Sequence, residues 1–454
     1  MLDSTSDSEC RRPPGEPVRI DPDTAFHAVS LLFLVSVLTL SGCATFEPRP
    51  LDDVPFRDRA QTQQRGELSV TVAIPTQEEA TGIYGVDLSE REMQPVWIEV
   101  KNDSDLPVWF LPSGLDPSYF SAAEAAYPFS SSTSGKKGRV IEDHFHTLQF
   151  RNPIQPGTTT SGFLIVNRDE GFKAIDVDIL TREDSSSFTF IIVDPAFRGD
   201  FTLVDFDTLY SDAEIVAIDD EDALRRAIEL LPCCTANEKG TEEGDPLNLV
   251  LIGDAQDVFP AFIRRGWHGT EVIWSKAILR TMKSFMSGSR YRYSPVSPLY
   301  VYGRRQDLAG QKSRGTIHER NHKRIWLTPI RFRGKAVWVG QISRDIGVKF
   351  TTRSPTISTH VIDPDVDEAR RYFLEDMAYS QAMARFGFTA GVGEVSRDAP
   401  RFNLVGDPWF SDGRRAVMFF EPRPYTLGDL DILDWEALLP SQTMKKKDPI
   451  DEDR

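Results

Sequence analysis

His318-Glu319-Arg320-Asn321-His322 spells HExxH. On a helix that spacing puts two imidazoles one turn apart over a zinc ion, with the glutamate beside the bound water. The flanks argue against a helix: Gly315 precedes the motif, Asn321 lies within it, and Arg324-Ile325-Trp326-Leu327 reads as strand. On a strand the two histidines share a face but stand about 13 Å apart at the usual rise per residue, too far to hold one ion. His318, His322, His360 and Asp345 are therefore ligands only in an alternative reading, in which a divalent metal such as zinc, with Glu319 as catalytic group, hydrolyses a phosphorylated or lipid substrate. Asp363, Asp365 and Asp367 alternate like calcium-loop ligands, but Glu368 stands where an EF-hand needs glycine. Asp363 as helix cap and Pro364 at the first helical position account for them better.

A second chemistry is written in arginine. From Arg264 to Arg353 there are 20 Lys and Arg against four acids (Glu271, Asp307, Glu319 and Asp345), a local +16 that leaves −33 for the rest of a chain of net charge −17. Guanidinium forks suit phosphate and carboxylate, and Tyr291, Tyr293, Tyr300, Tyr302, Trp326 and Trp338 run through the block. Arg304, Arg305, Arg320 and Arg324 are expected to face one way, as a surface for an anionic lipid headgroup or another anionic ligand near a membrane, with no cofactor. The competing reading pairs these cations with the acid-rich segments 219–222 and 429–436. The acidic whole disfavours nucleic acid as a partner. A Gly-x-Ser-x-Gly elbow and a full phosphate loop are both missing from the sequence, so covalent hydrolase chemistry has no support.

The apolar run 28–40 is too short to span a bilayer and has the length of a signal-peptide core. It ends in Leu40-Ser41-Gly42-Cys43, which resembles a bacterial lipobox. The resemblance implies that Cys43 becomes the lipidated, palmitate-bearing first residue of a mature lipoprotein in the cell envelope. Ala44 carries no aspartate-type retention signal, so the periplasmic side of an outer membrane is favoured, by the same resemblance, in a cell with two membranes. Asp21 and Asp23 lie between the basic Arg11, Arg12 and Arg19 and the apolar run, which fits either a true start further along the chain or an N-terminal extension ahead of the signal peptide. Of four cysteines, only the neighbours Cys233 and Cys234 remain. A bond between neighbours is strained, and they read as two small buried hydrophobes.

The elements that must position these residues fall into two domains. After the leader (1–43) and a flexible tether (44–65), short alternating runs at 68–74, 96–100, 108–111, 162–166, 174–179 and 188–193 predict a β-sandwich over 66–204, with a mobile loop at 130–138. Helical spacing returns at 219–231, within a helix-and-linker segment (205–244). A strand at 247–252, helices at 253–265, 275–286 and 363–385, and strands at 299–302, 324–327 and 336–340 predict an α+β domain over 245–400, with a hairpin at Arg333-Gly334-Lys335. Residues 401–454 read as short strands and a disordered charged tail. The fold class is thus α+β, a β-sandwich-like domain followed by a mixed one.

Five blocks of the second domain carry a family resemblance: residues 244–253, Gly303-Arg304-Arg305-Gln306-Asp307-Leu308, residues 318–326, residues 337–345 and residues 359–370. In order and content they resemble the LssY C-terminal-like family. Tyr84-Gly85-Val86-Asp87-Leu88 and Gln94-Pro95-Val96-Trp97 are similar to a companion module of such envelope proteins. Domains of this family occur joined to membrane-embedded lipid phosphatase-like or DedA-like segments. No such segment is read in this sequence, so the resemblance implies no reaction. With the basic block, the expected function is that of an envelope protein that binds an anionic ligand or a protein partner near the membrane.

Overall fold

A computed structural model describes residues 46–131, 135–169, 171–193, 198–270, 296–313, 320–350 and 358–435. In the first domain, the strands are β1 (Gln61–Arg65), β2 (Leu68–Ala73), β3 (Met93–Asn102), β4 (Trp109–Phe110), β5 (Thr158–Asn167), β6 (Phe172–Leu180) and β7 (Ser185–Val193). Sheet β1-β2-β3-β5 faces sheet β4-β6-β7. Val70, Val72, Ile98 and Val100 meet Ile175, Val177, Phe188 and Phe190 between them. This is the period-two burial of a sandwich. The outer face of the first sheet is apolar too, and helices Gln77–Tyr84, Ala122–Ser130 and Lys136–Leu148 cover it.

Two expectations change here. Of the loop expected over 130–138, the part from Lys136 onward is helix, because Ile141, Phe145 and Leu148 recur at helical spacing and bury on the sheet. The tether is packed over its described part: 51–53 and 55–59 are 3₁₀ turns, and fully buried Phe56 sits between Trp97 and Phe163, ring centroids 5.8 and 5.6 Å away. One aromatic ring, which composition alone does not flag, fixes the segment.

The second domain begins with β8 (Val216–Ile218) and helix Glu221–Glu229, then β9 (Cys234–Ala236), β10 (Glu243–Pro246), β11 (Leu249–Ile252) and helix Ala255–Arg264. Next come β12 (His268–Gly269), β13 (Tyr300–Val301), β14 (Arg304–Arg305), β15 (Leu308–Ser313), β16 (Arg320–Phe332), β17 (Lys335–Phe350) and β18 (Ser358–Ile362). Helix Val366–Ala378 leads to β19 (Met383–Ala390), β20 (Arg401–Phe402), β21 (Pro408–Trp409), β22 (Arg414–Phe420) and β23 (Asp431–Ile432). A ten-stranded sheet runs β12-β15-β16-β17-β11-β22-β19-β23, with β18 on β17 and β8 on β16. Its spine is the β16–β17 hairpin, closed by Arg333 (φ 48°) and Gly334 (φ 79°), two left-handed residues that match the strand twist.

Neighbouring residues of a strand face opposite sides. Leu251, Ile325, Trp338 and Ile342 take helices Ala255–Arg264 and Val366–Ala378 through Phe259, Phe262, Phe373 and Met377. On the other side, Val250, Ile252 and Val337 take helix Glu221–Glu229. Trp326 and Val339 take the small sheet β10-β9-β13-β14 through Leu299 and Val301. The α+β expectation holds, while its boundaries move outward. Segment 205–244 supplies β8 and a covering helix, and β22, expected beyond the domain, pairs in parallel with β11 inside the sheet. The helix expected to run to 385 ends at Ala378, because Gln381 (φ 62°) turns the chain into β19. The helix expected at 275–286 lies outside the described residues.

Cys233 and Cys234 correct another expectation: they are joined by a disulfide. The cause is the turn they occupy. Fully buried Arg415 donates to the carbonyls of Ile228, Leu231 and Pro232 at the end of helix Glu221–Glu229, and to those of Leu247 and Gly391. Gly391 (φ +141°) has to be glycine here, since a Cβ would stand 2.9 Å from the guanidinium carbon.

The two domains are clamped by Asp176 on β6. Its carboxylate accepts from Arg264 Nε and Nη2 at 2.9 and 3.0 Å and lies 3.4 Å from Arg423, and Thr189 donates to it at 2.7 Å. Burial opposes its ionisation, but Arg264 and Arg423 outweigh burial and hold the carboxyl below its ordinary value. The stabilisation is therefore present above the unfolded carboxyl's pKa and is lost as pH falls through the lowered folded value. Asp176→Ala strands buried cations and is expected to cost ~3–5 kcal/mol in denaturant unfolding at neutral pH. An unchanged midpoint would remove Asp176 as the clamp.

Candidate functional site

Five consecutive polar residues of β16, Arg320, Asn321, His322, Lys323 and Arg324, are all buried, at 5, 0, 7, 1 and 9% exposure. They continue without a turn into Ile325-Trp326-Leu327, so they belong to the same central strand, paired with β15 and β17. The second half of the HExxH motif is thus extended, and the helical zinc geometry is not formed. His318 and Glu319 lie outside the described residues. The same is true of Cys43 and of the His360 side chain, whose backbone pairs with Val348 across β17–β18.

On one face, Arg320, His322 and Arg324 line up with Gln311 of β15 and Gln341, Ser343 and Asp345 of β17. His322 Nε2 is 2.6 Å from Asp345 Oδ2, on the diagonal of the hairpin. Arg320 donates to Gln311 Oε1 at 2.8 Å. Arg324 donates to Gln341 Oε1 at 3.1 Å and to the Ser297 carbonyl at 3.2 and 3.1 Å. Gln341 Nε2 is buried with no hydrogen-bond partner among the described residues. Burial lowers the pKa of Arg320 and, against the pull of Asp245, Asp345 and Asp200, that of Arg324. Burial also lowers the His322 imidazole below its ordinary value, although Asp345 pulls the other way. A neutral His322 donates Nε2–H to the carboxylate, which leaves Nδ1 as its basic nitrogen. Two cations, a neutral imidazole and a carboxylate can hold an anion, and the imidazole can accept a proton.

The opposite face carries a residue the sequence reading passed over. Lys323 Nζ stands 2.8 Å from the Phe262 ring centroid, with Trp267 and Phe373 within 6 Å. Burial drives its pKa well down, opposed by Asp376. The signal for this polar bed was the unbroken passage from Arg320 to Leu327, which marks one strand despite its charge.

The expected one-sided surface of arginines is not what forms. Arg320 and Arg324 are buried. Arg304 pairs with Asp307 and Arg305 with Asp200, each at the edge of a cleft of about 440 Å³ that Asp205 also lines. Elsewhere Arg265 and Lys312 meet Asp376, Lys335 meets Asp254, Asp257 and Glu421, and Arg333 meets Glu221. Internal pairing thus absorbs much of the block, partly through the acid-rich segment 219–222. The cap of helix Val366–Ala378 is Asp365, two residues later than expected, and Asp363 accepts from the Asp365 amide at 3.1 Å. Among the described residues, the carboxylate, thiol and imidazole groups close enough to share a metal ion are Cys233, Cys234 and Glu243.

The His322–Asp345 pair is open to titration. In ¹⁵N-histidine spectra, with His322→Gln assigning the resonance, the imidazole is expected to stay mostly neutral at pH ~6.5, where a free histidine is half protonated. Asp345→Asn removes a group that raises the pKa and should lower it further. Titration of His322 at or above the ordinary value would sink this assignment.

No helix of the described residues is long and apolar enough to cross a membrane. Neither the curated proteins nor the solved structures contain a match to this chain. Residues 227–414 match the family model described as the LssY C-terminus, from the helix that covers the sheet to the start of β22, and this part of the chain is an LssY C-terminal-like domain.

Proposed function

We propose that this is a lipid-anchored cell-envelope protein whose second domain takes up an anionic group, a phosphate or a carboxylate, on the polar bed of β15, β16 and β17. The observation that carries the reading is Arg324. It is 9% exposed, and its hydrogen bonds among the described residues go to neutral oxygens of Ser297 and Gln341. A buried cation without a counter-ion at contact costs several kcal/mol, and an arriving anion offsets that cost. Arg320 is the second cation of the bed. Arg304 and Arg305 have carboxylate partners of their own and are not part of it.

Calorimetry of the protein with inorganic phosphate at low salt tests this. Arg324→Gln is expected to weaken binding by about ten- to a hundredfold, the worth of a charge-assisted hydrogen bond, while Arg305→Gln leaves it within about twofold. Vesicles with anionic headgroups, set against neutral ones, separate a lipid source of the anion from a free one. The proposal fails if neither phosphate nor anionic vesicles bind, or if Arg324→Gln binds like the wild type.

A second reading rests on the His322–Asp345 contact: a hydrolase of phosphorylated or lipid substrates in which His322 is base or metal ligand. It requires that the purified protein hold a divalent metal such as zinc which His322→Ala releases.

Anchoring rests on Cys43 and the apolar run ahead of it. Cys43→Ser is expected to leave an uncleaved precursor or to release the protein from the membrane fraction. Unchanged processing and fractionation would remove the anchor.

A further inference from the structure

The disulfide between neighbours sits in a setting that suggests more than a staple. Cys233 is half-buried and Cys234 is 9% exposed, so the pair is reachable from solvent at the start of β9. Glu243, on the antiparallel partner β10, is exposed, and its carboxylate and the two sulfurs lie within 4.8 Å of one another. Arg401 Nη1 approaches both sulfurs, at 3.8 and 3.9 Å, and the Glu243 carboxylate, at 3.6 Å. Below the pair, Ile362, Val366, Val395 and Trp409 form an apolar floor.

Each part has a chemical consequence. A disulfide that closes no loop beyond its own two residues removes little entropy from the unfolded chain, so chain stapling is a poor account of it. A guanidinium beside a sulfur favours its thiolate. Two thiolates and a carboxylate are a donor set for a thiophilic divalent cation, with water as the fourth ligand. The Arg415 anchor on the carbonyls of Ile228, Leu231 and Pro232 holds the preceding turn whether or not the sulfurs are bonded.

We propose that Cys233, Cys234 and Glu243 form a redox-gated site for a thiophilic divalent cation, closed as the disulfide and open as the dithiol. An external dithiol supplies two electrons and two protons: its own sulfurs become a disulfide, the Cys233–Cys234 bond breaks, and each cysteine takes one proton. The cation then displaces both thiol protons, and Arg401, whose side chain is half exposed, gives up the Glu243 carboxylate to it. The site is independent of the polar bed on β16.

The test uses the full chain with Cys10→Ser and Cys43→Ser, so that the two thiols in question are the chain's cysteines. Cd²⁺ is titrated into phosphine-reduced and into oxidised protein, with the ultraviolet thiolate-to-metal charge-transfer band as readout. About one equivalent is expected to bind the reduced form and none the oxidised form. Glu243→Gln, an exposed change that leaves folding untouched, is expected to weaken binding about tenfold or more, and Cys234→Ser to abolish the band while the circular-dichroism melt stays cooperative. The proposal is overturned if reduced protein binds no Cd²⁺, if oxidised protein binds equally, or if Glu243→Gln has no effect.

Discussion

Positive charge buried inside the central sheet is the constraint around which the second domain is arranged. β16 sends Arg320, His322 and Arg324 to one face and Asn321 and Lys323 to the other, and β22 adds Arg415. A buried cation needs oxygen around it or its pKa falls until it neutralises. The domain uses both solutions. Arg415 is ringed by five carbonyls, and its pKa is still lowered to about 10 by burial. Lys323, on an aromatic bed, is driven much further down.

The same constraint links fold and function. Buried and half-buried polar groups decide where acids sit: Asp345 beside His322 on the hairpin partner, Asp376 beside Lys312 on the covering helix, and Asp307 and Asp200 beside Arg304 and Arg305 at the cleft. Arg324, like Arg415, is met by neutral oxygens in its hydrogen bonds among the described residues, but by two of them instead of five. An incompletely compensated buried charge is where a ligand contributes most, which is why the anionic reading is assigned to β16 instead of the better-exposed Arg305.

The first domain presents a different logic. Its sandwich is apolar inside, the outer face of one sheet is covered by helices, and β6 carries Asp176 and Asp178 toward the second domain. Asp176 and Asp178 meet Arg264, at the end of helix Ala255–Arg264, and Arg423, in the loop after β22, so ion pairs join the two domains. The disulfide turn and the Asp176 clamp both depend on arginines distant in sequence, which gives arginine a structural role throughout this chain.

The sequence alone determined what is local. Alternating runs placed most strands of the sandwich, the Arg333-Gly334 turn announced the hairpin, and the ordered blocks from 244 to 370 marked the LssY C-terminal-like domain, because pleat, turn and motif are set by neighbours within a few residues. Tertiary structure decided everything that depends on distant partners. The +16 block looked like a surface because its acids lie elsewhere in the chain. The flanks of His322 already spoke for a strand over a zinc helix, but its partner, Asp345, came only from strand pairing. Cys233 and Cys234 looked like two hydrophobes, but they form a disulfide directly after a turn that Arg415, some 180 residues away, anchors. Whether a charge is buried, and against what, is fixed by strand order and register, and those are settled by long-range packing that local residue spacing does not carry.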